Sequence, residues 1–235
     1  MSRTNKRDGS SNPAKKFISL SGKSGKFGYY DKVNAQTIEL EYPITFLPLD
    51  VLATIKGYNK PEQTGFYSNE IHNTNSEILK VKLFNKGDFA EGLYSDIKDK
   101  IKANGGKYCS SVYAMMYNEN GEPELVNFQL IGAALTPFIE YTKSVKDIYK
   151  KAIQVTGSNP SEEGGIEYFI PVFAEKDVSP ETSAKADELD IKLQEFLEQY
   201  KSGITGSELP KEDEIDESTN PANSEIPKDE SNVPF

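Results

Sequence analysis

The sequence predicts a mainly β fold with one inserted helix, an additional C-terminal strand and helix, and a disordered acidic tail. Three observations carry this. Between Lys16 and Ile131, short runs rich in Val, Ile, Tyr, Phe and Thr alternate with Gly, Asn, Asp and Pro, the pattern of strands and their turns. One segment in that stretch, Phe89–Asn104, spaces its apolar residues as a helix does. From Gly206 onward apolar residues become sparse.

Taken in order, residues 1–14 are polar and basic and are expected to form a disordered arm. The predicted strands are Lys16–Leu20, Lys26–Lys32, Thr37–Tyr42, Asp50–Tyr58, Gly65–Ile71 and Ile78–Phe84, then Lys107–Asn118 and Glu124–Ile131. Asn118–Gly121 supplies the loop of a hairpin between the last two. In Phe89–Asn104, the spacing of Phe89, Leu93, Ile97 and Ile101 makes one apolar stripe, and Gly105-Gly106 stops the helix. A second short helix is expected over Pro137–Lys151, and Gly164–Ala174 reads as a strand that Pro171 confines to an edge. Ser179–Tyr200 has an N-cap serine, a proline at the first helical position and Glu181 to complement the dipole. Its apolar face, Ala186, Leu189, Leu193, Phe196, Leu197 and Tyr200, must bury itself against the sheet or against a second copy, so a homodimer is one expectation; Gly203 can end the helix. Residues 15–203 thus form the expected domain. Residues 204–235 are acidic and rich in Pro, Ser and Asn, with too little apolar surface to offset the entropy of ordering.

Apolar residues make up 36% of the 235, which is low for a wholly compact chain and agrees with unfolded ends. Cys109 is the only cysteine, so no disulfide forms within the chain and a reducing, cytoplasmic setting is expected. No apolar run of signal-peptide or membrane-spanning length is present, and no membrane partner is expected. The net charge is −10, unevenly spread. Residues 1–150 carry 20 Lys/Arg against 17 Asp/Glu, a net of +3, while 151–235 carry 7 against 20, a net of −13. A basic front and an acidic rear suit a polyanion-binding body with an interaction tail.

Catalytic signatures are missing. His72 is the only histidine, which leaves no His cluster for a metal, and it reads as a solvated loop residue rather than as a partner for Cys109. Gly22-Lys23-Ser24 resembles the end of a phosphate-binding loop, but the glycine that loop requires five residues earlier is Phe17. Asp96 and Asp99 sit among lysines on a polar helix face. No metal or cofactor is expected, and the chain reads as a non-enzyme; a carboxylate-only nuclease is the third-ranked alternative.

Binding a single nucleic-acid strand needs positive charge for phosphates and aromatic rings for base stacking, each stacked base contributing about 1–3 kcal/mol with little sequence preference. The predicted strands offer both. Strand parity puts Lys80, Lys82 and Phe84 on one side and Leu79, Val81 and Leu83 on the other. It likewise groups Lys26, Tyr30 and Lys32, pairs Lys56 with Tyr58, and aligns Lys107, Tyr113 and Tyr117. Tyr67 on Gly65–Ile71 completes the candidate DNA-binding set. A tyrosine on a strand is more often a core residue; it is the repetition over several strands that favours the binding reading.

The C-terminus, Lys228 to Phe235, ends in Asn-Val-Pro-Phe after an acidic stretch. It resembles the terminus of bacterial single-stranded DNA-binding proteins and of several phage counterparts, and the body, with Lys26–Asp31, the Ile55–Tyr58 turn, Gly65–Asn69 and Glu91–Tyr94, looks more like a phage protein. The resemblance implies an OB-like β-barrel of about five strands, a helix between the third and fourth, and a tail whose terminal Phe ring enters an apolar pocket of a partner while its carboxylate meets a basic group. Pro234 and Phe235 would play those parts, with Asp229, Glu230 and Val233 completing the expected partner-binding set. The bacterial pattern is a run of Asp before Ile-Pro-Phe; here Ser231 and Asn232 interrupt the acids and Val233 replaces Ile. The expected function is coating of single-stranded DNA in replication, recombination or repair, in the host cytoplasm for a phage protein, with replication or recombination proteins recruited by the tail. The alternative is a protein–protein adaptor or phage assembly factor without nucleic-acid binding.

Overall fold

In the computed structural model, which describes residues 12–204, the strands are β1 (Lys16–Leu20), β2 (Phe27–Asp31), β3 (Gln36–Glu39), β4 (Ile44–Asn59), β5 (Thr64–Ser68), β6 (Leu79–Leu83), β7 (Gly87–Gly92), β8 (Gly106–Tyr117), β9 (Pro123–Ile131), β10 (Ala152–Glu163) and β11 (Ile166–Lys176). The helices are α1 (Tyr94–Ala103), α2 (Leu135–Ser144) and α3 (Pro180–Ile204). The fold is mainly β. The main sheet runs β3-β2-β1-β9-β8-β4-β5-β6-β7, with β10 added to β4 and β11 to β10. β1 and β9 are parallel, and the other ladders are antiparallel.

β4 organises the sheet. Ile44–Phe46 pairs with β10, Leu47–Gly57 with β8 and Gly57–Asn59 with β5. Sequence reading found only its second half, because Pro43 and Pro48 look like breaks. Pro48 lies beside a register shift, a position that tolerates proline. Among the described residues no ladder joins β10–β11 to β1 or β2, so the sheet does not close. Side chains span the gap instead: Ser158 Oγ and Tyr42 OH both donate to the Gly25 carbonyl, at 2.6 and 2.7 Å. Gly25 has φ +67°, and a Cβ there would lie 2.5 Å from the Phe169 ring, so this approach needs glycine.

Two cores lie on the inner side of the sheet. One joins Ile18, Phe27, Phe46, Val112, Phe128, Ile153 and Phe138 of α2, with Phe46 stacked on Phe128 at 4.1 Å. The other joins Ile55, Phe66, Leu79, Val81, Leu83, Ile97 and Ile101. The expected helix Phe89–Asn104 is corrected to Tyr94–Ala103. Gly87–Gly92 finds a ladder partner in β6, and Phe89 reaches the same core from that strand, edge-on to Phe66 at 5.0 Å. Cross-strand pairing overrides the local helical spacing. The expected helix Pro137–Lys151 ends at Ser144, where Val145 turns extended. β10 was not foreseen, because Gly157 and Pro160 punctuate it; the expected edge strand is there as β11, which pairs with β10 alone.

α3 packs on the outer side. Ser179 Oγ accepts the Thr182 N–H at 3.1 Å, the expected N-cap. Leu193, Phe196 and Leu197 meet Leu52, Tyr113, Leu125 and Ala14, and Ala186 meets Leu47 and Met115. The apolar face is thus used within the chain, and a homodimer loses this helix as its contact. The helix continues through Gly203 to Ile204. Residues 12–14 belong to the fold rather than to a disordered arm: Ala14 is buried, and Asn12 Nδ2 donates to Tyr113 OH at 3.0 Å. Residues 1–11 and the tail, with Asp229, Glu230, Val233, Pro234 and Phe235, lie outside the described residues. Among the described residues, no helix is long and apolar enough to cross a membrane.

Candidate nucleic-acid interface

Four strands bring half of the predicted binding residues together. β8 and β4 place Lys107 directly opposite Lys56. Two residues along β4, on the same side, comes Tyr58, opposite Gly65 of β5. Two residues along β5 comes Tyr67, opposite Lys82 of β6, and Lys80 shares the face of Lys82. This side is the reverse of the one that buries Ile55, Phe66, Val81 and Leu83. All six side chains are half-buried, with stems and rings laid along the sheet. At about 4.8 Å between strands, the strip from β8 to β6 spans roughly 14 Å. Phe84 follows at the end of β6, its N–H donating to the Gly65 carbonyl at 3.0 Å. Gly57 separates Lys56 from Tyr58; its φ is +132° and a Cβ would stand 2.4 Å from the Gly105 carbonyl, so the backbones meet here only because the residue is glycine.

Positive charge is concentrated on this strip. Like charges directly opposite in a ladder are mildly destabilising, and Lys56 and Lys107 are so placed. Lys82 Nζ lies 3.2 Å from an Asp88 carboxylate that is itself almost wholly exposed. Such a solvated pair contributes about 0–1 kcal/mol.

Beside Lys56 lies a polar network that sequence reading missed. Glu70 accepts Ser111 Oγ–H and, at 2.8 Å, Tyr113 O–H. Asn127 Nδ2 donates to Ser111 Oγ at 2.7 Å. Desolvation pushes the Glu70 carboxyl up, while the two hydroxyls and the Lys56 charge pull it down. Next to it, His72 Nε2 lies 2.9 and 3.1 Å from the Asp50 oxygens, and Gln194 of α3 donates to Asp50 Oδ2 at 3.3 Å. The sequence signal for this network is polar residues at strand positions: Asp50, Ser111 and Asn127, all buried. The Cys109 thiol, fully buried, is pushed up to about 12 by desolvation and stays protonated.

The other predicted residues lie elsewhere. Tyr113 is corrected: it is 1% exposed, under α3, and its hydroxyl is bound to Glu70, so its ring cannot meet a base. Tyr117 is exposed at the far end of β8, with Lys185 Nζ 5.7 Å from its ring centre and Thr182 Oγ1 3.2 Å from its hydroxyl. Lys26, Tyr30 and Lys32 belong to β2 and its flanks, separated from β4 by three strands. Lys26 pairs with Glu41 at 2.6 Å, which raises its pKa; Tyr30 and Lys32 are exposed. Gly22-Lys23-Ser24 forms the exposed β1–β2 turn, with no helix after it, and Ser21 Oγ accepts the N–H groups of Lys23 and Ser24. Among the described residues no three His, Cys, Asp or Glu side chains gather as metal ligands would. Comparison with protein-family models, curated proteins and solved structures finds no match for this chain.

Proposed function

We propose that this chain binds single-stranded DNA without strong sequence preference and coats it during replication, recombination or repair. The observation that carries this reading is the opposed Lys56–Lys107 pair on one sheet face with Tyr58, Tyr67, Lys82 and Lys80. Two rings flanked by cations suit a flexible strand: bases stack on the tyrosines and phosphates sit at the lysines. A duplex hides its bases and offers no such stacking. The binding is non-catalytic. The run β2-β1-β9-β8-β4-β10, which shares the phenylalanine core, supports an OB-like reading of the body, with Ser158 and Gly25 bridging where a closed barrel would have a ladder. The acidic C-terminus, through Asp229, Glu230 and Val233–Phe235, recruits replication or recombination proteins: long-range attraction brings a basic partner, and the terminal ring and carboxylate anchor it. The setting is cytoplasmic, that of the host cell for a phage protein.

Fluorescence anisotropy tests this. Labelled oligo-dT and a matched duplex are titrated with the full chain and with a version ending at Gly206, at low and high salt. The reading expects salt-sensitive binding that favours the single strand and persists without the tail. No binding by either version at low salt would leave the adaptor reading in its place.

A further inference from the structure

The outer side of the sheet is divided in two. The ladders align Ser111, Gln129, Ser19 and Gly28 in one row across β8, β9, β1 and β2. Lys107 lies on one side of that row, with Lys56 opposite it. Tyr113, Asn127 and Phe17 form the next row on the other side, and parity along β2 puts Tyr30 there, with Lys32 beyond it. α3 covers the β4, β8 and β9 part of this second half, its apolar face seated on Tyr113, Leu52 and Leu125, and leaves Tyr30 and Lys32 exposed beyond it. Its solvent side between Lys185 and Glu198 carries Asp187, Glu188, Asp190, Glu195 and Glu198 against Lys185 and Lys192, a net of −3; all of these but Lys185 and Asp190 are exposed. The floor at the boundary is acidic as well, with Glu70 over Ser111 and Asp50 beside His72.

From this we infer that α3 is an electrostatic fence, which confines a bound strand to the Lys107–Lys56–Tyr58–Tyr67–Lys82 end of the face and keeps it off Tyr30 and Lys32. The inference rests on the single-stranded DNA reading and adds the path. A strand leaving Lys107 for Tyr30 would run along the side of the sheet that carries the helix's carboxylates, whose repulsion is only partly screened over about one Debye length, roughly 8 Å at physiological salt. Leaving across β5 and β6 it meets Lys82 and Lys80 instead. The helix that fills the hydrophobic half of the face thereby sets the length of the binding site. Two clusters with the same Lys/Tyr composition have different roles, and the difference comes from what lies between them.

The test uses the full chain, two oligo-dT probes of about 6 and about 30 nucleotides, bracketing the usual single-fold site sizes, and coating stoichiometry on poly-dT. Replacing Glu188, Glu195 and Glu198 together by Gln keeps size and helix propensity while lowering the fence. The expected result is about tenfold tighter binding of the long probe, little change for the short one, and more nucleotides covered per chain, with the difference vanishing at high salt. Tyr30→Ala with Lys32→Ala should change neither probe in the wild-type background by more than about twofold, yet weaken the long probe once the fence is lowered. Equal tightening of both probes would mean a general charge effect and overturn the fence. So would a loss from Tyr30→Ala with Lys32→Ala in the wild-type chain as large as the loss from Lys56→Ala. If the wild-type chain binds neither probe, the single-stranded DNA reading itself fails and the fence with it.

Discussion

The two halves of one sheet face solve the same problem differently. On the half under α3, strand residues of the outward parity are apolar or hydrogen-bonded: Leu52, Tyr113, Met115 and Leu125 bury against the helix, and Asn127 and Ser111 bond each other. On the open half, over β5, β6 and the adjoining ends of β4 and β8, the same parity carries Lys56, Lys107, Tyr58, Tyr67, Lys80 and Lys82. A sheet face is covered either by the chain itself or by something else. The open half carries four lysines and two tyrosines that no element of the described chain covers as α3 covers the other half. Burial on one half thus contributes stability, and half-burial on the other leaves a surface for a ligand.

That contrast can be broken most sharply at the tyrosines. Tyr58→Ala with Tyr67→Ala should weaken oligo-dT binding by at least about thirtyfold, since each stacked base contributes about 1–3 kcal/mol, and anisotropy titration measures it. A loss under about threefold would mean that neither ring stacks. The covered half should answer in stability. Leu193, fully buried between α3 and the sheet, should cost about 2–5 kcal/mol as Leu193→Ala in denaturant unfolding; a cost below about 1 kcal/mol would mean that α3 docks loosely.

The boundary sharpens the comparison further. Glu70→Ala leaves the Ser111 and Tyr113 hydroxyls without their acceptor, at a cost of about 1–3 kcal/mol. Glu70 also makes a pH prediction. Its folded-state carboxyl titrates above the ordinary value, so the folded chain holds that proton more tightly than the unfolded one. Its contribution to stability therefore falls as pH rises from about 4.3, the unfolded value, through the folded pKa. Glu70→Gln should remove that fall from a series of unfolding curves; an unchanged pH dependence would contradict the assignment. The smallest effect belongs to His72, whose ring is 42% exposed beside Asp50. His72→Ala should cost no more than about 1 kcal/mol, and a larger loss would make the pair part of the core.

Much of this was legible in the sequence. The strict alternation of Leu79–Leu83 fixed which side Lys80 and Lys82 face, and Ser179 with the spacing of Leu189, Leu193, Phe196 and Leu197 located α3. The failures share one cause: partners distant in sequence. Phe89 has helical spacing with Ile97, yet β6 recruits it into a strand. Tyr113 has the same parity as Lys107, yet twelve-residue β8 runs from the open half into the covered one, so one parity holds both a half-buried lysine on the open half and a buried ring. The Glu70–Ser111–Tyr113 network joins residues some forty positions apart, which no local pattern reveals.

The central claim is that Lys56 and Lys107 contact phosphates, and the salt dependence of binding tests it most directly. Each phosphate contact to a single strand contributes about 0.7 to the slope of log affinity against log salt. Lys56→Ala with Lys107→Ala should therefore lower the slope for oligo-dT by about 1.4 and weaken binding at low salt. Binding that weakens with an unchanged slope, or does not weaken at all, would contradict the claim and place the phosphates elsewhere on the molecule.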